Sequence, residues 1–246
     1  MYKSRLFYLQ KVDDRAKGIA DDFINSKPIS GEILKTIIEL YQTAKVEQHF
    51  KDEFFENAYH SPITGELEFL IARVLYHYSM MTNKKWKILL RKQESHTAPD
   101  IRLCHNGRTF AVIEVKAKAG WIQPFLSPER FISDKRRLTD GKTMLDPANL
   151  VANSRNQLTK YFKTFSISNK DVFLLLPTLA LVHRKKYKTE LAGYYEYFAS
   201  TSQLPEENLI LLSTNKRLDL SNATSKLEPT DNFEKMLMKL SKRHTI

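Results

Sequence analysis

The sequence predicts a mixed α/β fold: a central β-sheet flanked by helices, with a helical N-terminal extension. Three observations carry this. The apolar spacing is helical up to about residue 81 and strand-like from Trp86. Asn106-Gly107 sits between two apolar runs, and Asn-Gly is a strong hairpin signal because both turn residues must accept positive φ. Two further apolar runs, within Asp171–Leu176 and Asn208–Ser213, are separated by stretches that read as helix.

Residues 12–58 read as helical. Gly31-Glu32 follows Pro28-Ile29-Ser30, and Leu34, Ile37, Ile38 and Tyr41 fall at helical spacing. The extension is assigned to residues 1–58, and a sheet-containing domain to 59–246. After a loop at residues 59–64, Leu67, Leu70, Ile71, Val74, Leu75 and Tyr78 form one stripe. Ser61 or Thr64 can cap that helix, and Glu66 and Glu68 suit its positive end. Trp86–Arg91, Ile101–Cys104 and Thr109–Lys116 read as strands, the last two joined by the hairpin turn. Residues 119–148 read as a long loop. Helices are expected from about Pro147 to Phe165, over Tyr187–Ser200 and over Asp231–Arg243.

The chain has 246 residues and a formal net charge of +11, spread over several clusters and not gathered in one tail. A basic folded surface of this kind suits a polyanion, nucleic acid first. A single cysteine, Cys104, excludes an internal disulfide and any zinc site built from several thiolates. No apolar run is long enough to cross a bilayer and no signal-peptide core follows the early charges, so the expected location is cytoplasmic, with no membrane partner.

The hairpin holds the informative constellation. Pro99-Asp100 opens one strand and Glu114-Val115-Lys116 ends the next. Strand residues two apart share a face, so Glu114 and Lys116 project together. Two carboxylates brought close stay ionised most easily with a cation between them. Mg²⁺ takes hard oxygen ligands, commonly one or two carboxylates with waters and a substrate phosphate. A neighbouring lysine can offset phosphate charge and orient an attacking water. A strict two-residue turn, however, sets Asp100 opposite Ile113 and sends its side chain to the other face from Glu114. Either the turn is longer or bulged, or Asp100 lies just before regular pairing. Pro99, which cannot donate to a ladder, favours the second.

Pro-Asp, a short hairpin and then Glu-x-Lys closely resembles the PD-(D/E)xK nuclease superfamily, over about residues 61–183. The resemblance implies a restriction-endonuclease-like core, with residues 59–246 as the catalytic domain. Asp100 and Glu114 would be metal ligands and Lys116 the catalytic lysine, with Mg²⁺ as cofactor and Mn²⁺ able to replace it. The family also carries an acidic residue on the helix before the first sheet strand. Glu68 is preferred for that place because it lies nearer the apolar stripe, with Glu66 as the alternate. Gln157 and Tyr161, one turn apart, resemble the Gln-x-x-x-Tyr motif of the RecB-like branch.

The implied function is metal-dependent cleavage of double-stranded DNA, as in a type II-like restriction endonuclease, with a homodimer as one way to cut both strands. The alternatives are a repair or recombination nuclease of the same superfamily and a DNA-binding module that keeps the fold without cleavage. Lys84, Lys85, Arg91, Lys135, Arg136 and Arg137 are expected to track the DNA backbone. In the long loop, Trp121, Phe125 and Phe131 stand among basic residues and form a candidate nucleic-acid contact. His60, His77, His96, His105 and His183 have no metal-ligand spacing, and Cys104 reads as a small core residue.

Overall fold

The computed structural model describes residues 2–48, 51–52, 55–56, 64–115, 158–177, 204–215 and 226–243. Its centre is a five-stranded mixed sheet. The strands are β3 (Lys87–Leu90), β4 (Ile101–His105), β5 (Arg108–Val115), β6 (Val172–Leu176) and β7 (Leu209–Leu211), adjacent in that order. The β3–β4 and β4–β5 pairs are antiparallel, whereas β5–β6 and β6–β7 are parallel. β5 is thus the central strand, and its last five residues are all buried. A strand covered on both faces needs an apolar run. Ala111-Val112-Ile113 and Val115 supply it, and Glu114 is the exception.

One face of the sheet is covered by α1 (Tyr2–Ile24), α2 (Ser30–Gln48), α3 (Thr64–Met81) and a C-terminal helix, α5 (Asn232–Lys242). Each brings apolar residues at helical spacing into one continuous core: Val12, Ala16 and Ile19 from α1, Ile33 and Ile37 from α2, Phe233 and Leu237 from α5. The stripe expected on α3 is buried in full, from Leu67 to Tyr78. The other face is covered by α4, described over residues 158–165, through Leu158, Tyr161 and Phe165. The N-terminal helices therefore share their core with the sheet.

Two local differences from the sequence expectation stand out. The first helix begins at Tyr2, although the pattern becomes visibly helical only from residue 12. Lys51–Asp52 and Phe55–Glu56 pair as two-residue antiparallel strands, β1 and β2, where helix was expected. Pairs this short lie below what periodicity can register. The stretch 119–148 and the helix expected over Tyr187–Ser200 lie outside the described residues. So does the start of the helix expected from Pro147.

A polar latch ties α1 to α3. Asp13 accepts hydrogen bonds from Arg73 Nε and from His77 Nε2, the latter at 2.7 Å. Burial pushes the Asp13 carboxyl up, but the hydrogen bonds and charges of Arg73 and His77 outweigh it and hold it below its ordinary value of 3.8. A carboxylate with a depressed pKa contributes stability that is complete above its ordinary value and lost as pH falls through the depressed one. Asp13→Asn should therefore cost about 1 kcal/mol at neutral pH, and the deficit should vanish in acid below that range. Thermal melts of both proteins at pH 7 and pH 3 check this, and an equal deficit at both pH values would refute it.

Candidate active site

The geometry starts at the hairpin. Asn106 and Gly107 both adopt left-handed backbone, with φ of 49° and 76°, as a two-residue turn requires. His105 pairs with Arg108 and Cys104 with Thr109. The next pair is Leu103 with Ala111, so Phe110 is an extra residue on β5. This β-bulge shifts the register by one, and the last regular pair is Ile101 with Ile113. Continuing one step sets Asp100 opposite Glu114. The turn itself keeps two residues; the register conflict is resolved by a bulge further along the ladder, and Asp100 stands just before β4.

Glu114 is 1% exposed and lies in the centre of the sheet. Its Oε2 accepts a 2.7 Å hydrogen bond from the hydroxyl of Tyr161, itself 1% exposed. The Asp100 Oδ2 accepts from the backbone N–H of Val115 at 2.8 Å, which fixes the carboxyl beside the end of β5. The segment before it is a small closed hairpin. Glu94 and Thr97 exchange backbone hydrogen bonds at 2.8 Å around Ser95 and His96, both in left-handed backbone. Arg102, 5% exposed, ion-pairs with Glu94 and lies 4.8 Å over the Phe165 ring. Those contacts pin the approach to Asp100 against α4.

Glu68 is 2% exposed, in agreement with its nearness to the apolar stripe. Its two oxygens take both prongs of the Arg91 guanidinium, and the Nη2–Oε1 contact measures 2.8 Å. Arg91, expected to track DNA, thus has its fork on an internal acid. The hydrogen bond that Arg91 donates to Glu68, with the charges of Glu68, Asp100 and Glu66, outweighs burial and pushes the Arg91 pKa up. The charges of Asp100, Glu66 and Glu68 therefore all act on one cation. Glu66 is partly buried, and its Oε2 is buried with no hydrogen-bond partner among the described residues.

Asp100, Glu114, Glu68, Glu66 and Tyr161 all fall in described parts of the chain. Lys116, Gln157, Lys135, Arg136 and Arg137 lie outside the described residues, as do Trp121, Phe125 and Phe131 and the histidines His60 and His183. Lys84 and Lys85 flank the opposite end of β3 from Arg91. Lys87 pairs with Cys104 near the hairpin turn, and Leu90 with Ile101 beside Asp100. At about 3.3 Å per residue, β3 alone separates its ends by about 10 Å. Lys84 also donates to the Ser241 carbonyl at 2.9 Å, at the end of α5. Lys84, Lys85 and Arg91 are thus spaced along β3 and its flanks, with Arg91 alone of the three at the end that carries Asp100.

Cys104 is buried, in keeping with a small core residue. His77 belongs to the α1–α3 latch and His96 is exposed. The contacts missed by sequence reasoning, Arg91 with Glu68 and Arg102 with Glu94, join residues 23 and 8 positions apart in different elements. No local spacing announces them.

Among the described residues, no group of three or more His, Cys, Asp or Glu side chains is arranged to hold a metal ion. Asp100 and Glu114 provide two hard oxygen donors on paired strands, the number that Mg²⁺ commonly takes with waters and a phosphate. The orphaned Glu66 oxygen lies at the same end of the sheet, beside Arg91. This donor set suits a hard divalent cation and would not suit a soft one. Compared with protein-family profiles, curated proteins and solved structures, the chain matches none.

Proposed function

We propose that the chain is a Mg²⁺-dependent deoxyribonuclease with a restriction-endonuclease-like core, related to the PD-(D/E)xK nucleases and closest in type to a type II restriction endonuclease. The observation that carries this reading is the bulge at Phe110, which sets Asp100 opposite the buried Glu114 at the end of the central strand. A carboxylate buried in a sheet is costly unless hydrogen bonds or a cation offset the lost solvation, so its presence marks a functional candidate.

In this reading Asp100 and Glu114 hold the metal, and Glu68 or Glu66 assists from α3. Tyr161 orients the Glu114 carboxylate through its hydroxyl. Lys116 would stand two residues beyond Glu114 on the same face and orient the water that attacks the scissile phosphate in line. When bound, Mg²⁺ supplies Lewis-acid stabilisation of the charge that develops on the phosphate. The net charge of +11 supports a polyanionic substrate, and DNA binding should weaken steeply with salt.

A second reading, a repair or recombination nuclease of the same superfamily, is favoured by the Tyr161–Glu114 hydrogen bond. It gives a chemical purpose to the half of the Gln-x-x-x-Tyr pair that is described. Incubation of plasmid DNA with Mg²⁺ and with EDTA tests the class. Cleavage is expected with Mg²⁺ only, and Asp100→Ala should abolish it while DNA binding persists. Discrete fragments indicate site-specific restriction, and a smear indicates the second reading. If DNA is bound but never cut by the wild-type chain, a binding module that keeps the fold is left.

A further inference from the structure

The Arg91–Glu68 pair joins a surface cation to a buried acid. The Arg91 side chain is 58% exposed, whereas that of Glu68 is 2% exposed. Arg91 follows the last residue of β3 and holds left-handed backbone, with φ of 48°, a conformation unfavourable for a residue other than glycine. Its N–H donates to the Asp100 carbonyl at 2.9 Å, so the backbone that carries the guanidinium is fixed to the residue proposed as a metal ligand. The fork then reaches the first turns of α3, where one Glu66 oxygen is buried without a partner among the described residues. One guanidinium therefore sits within reach of the acids that a divalent cation would need.

Two features make this contact exchangeable. A buried carboxylate loses much of its solvation and must keep some cation beside it to stay charged. A second positive charge arriving within a few ångströms repels the first, so guanidinium and divalent ion exclude one another. The planar fork also fits a phosphate as well as it fits a carboxylate, and the exposed Arg91 side chain has room to move.

We propose that Arg91 is an exchangeable counter-ion: it holds Glu68 in the substrate-free protein, then turns to a phosphate of the incoming strand and leaves Glu68 to the divalent ion. This rests on the metal-dependent reading given above. Arg91 acts through Glu68 and is a positioning residue. It makes cation binding at this end of the sheet weaker without DNA than with it.

The test uses the full chain and Mn²⁺ alone, by isothermal titration and thermal melts. Arg91→Met strands the Glu68 carboxylate, so the metal-free variant should melt about 5 °C below wild type. It should also bind Mn²⁺ about tenfold more tightly than wild type, and saturating Mn²⁺ should restore most of the lost melting temperature. Glu68→Gln added to Arg91→Met should cancel the tighter binding. On DNA, Arg91→Met should lower the slope of log K against log salt by about one. Equal Mn²⁺ affinity in wild type and Arg91→Met overturns the exchange and leaves the metal site standing. Absence of Mn²⁺ binding to both removes the metal site and the exchange together. Should Arg91→Met fail to fold, Arg91→Lys keeps the charge and loses the fork. It should bind Mn²⁺ about threefold more tightly than wild type, and wild-type affinity would overturn the exchange.

Discussion

Glu114→Gln should reduce Mg²⁺-dependent DNA cleavage by about 10³-fold or more and leave the fold in place. Gln has the same shape as Glu, and its amide oxygen can accept the Tyr161 hydroxyl now 2.7 Å from Glu114 Oε2. What the substitution removes is the negative charge that a divalent cation requires. The loss should therefore be chemical: a melting temperature within a few degrees of wild type, with Mn²⁺ binding weakened at least tenfold. Glu114→Ala should behave differently, because it leaves a cavity and an unsatisfied Tyr161 hydroxyl at residues that are each 1% exposed. That variant should lose about 3 kcal/mol of stability as well as activity. Wild-type cleavage rates in Glu114→Gln would remove Glu114 from the site.

The second large effect concerns stability alone. Glu234 on α5 is 8% exposed and receives three hydrogen bonds from the start of α2. Its Oε1 accepts from the N–H groups of Ile29 at 2.7 Å and Ser30 at 2.9 Å, and Oε2 accepts from the Ser30 hydroxyl at 2.6 Å. The first N–H groups of a helix have no partner within it, and the helix dipole favours negative charge there. Glu234 answers both needs from 205 residues away in the chain. Glu234→Ala leaves three polar groups buried without partners and should cost about 3–4 kcal/mol, seen as a fall of about 10 °C in melting temperature. Glu234→Gln keeps the shape but loses the charge, and should fall about halfway between. A loss below 1 kcal/mol in Glu234→Ala would show that water replaces the carboxylate freely.

What could be read in the sequence was whatever is encoded locally. The α3 stripe from Leu67 to Tyr78, the Asn106-Gly107 turn and the buried runs Val172–Leu176 and Leu209–Leu211 all depend on neighbours within a few residues. The bulge at Phe110 was beyond reach, because Thr109-Phe110-Ala111 contains no glycine or proline to mark it. The turn alone predicts the wrong face for Asp100, and the register becomes visible only when β4 and β5 are seen paired. Arg91 was legible as a charge and illegible as a partner. Twenty-three positions separate it from Glu68, and no local spacing joins them. Glu234 stands in the first turn of the last helix, a common place for an acid. Its buried role depends on the beginning of the chain folding back onto the end.

The extra residue on β5 gives the hairpin one residue of slack between its turn and its acid. Almost any side chain at position 110 preserves the count between turn and acid. Loss of residue 110 would remove the bulge, set Ala111 opposite Leu103 without interruption, and leave Asp100 opposite Glu114. Among descendants of this chain, position 110 should therefore vary freely and even be lost, while the count from Ala111 to Glu114 stays constant.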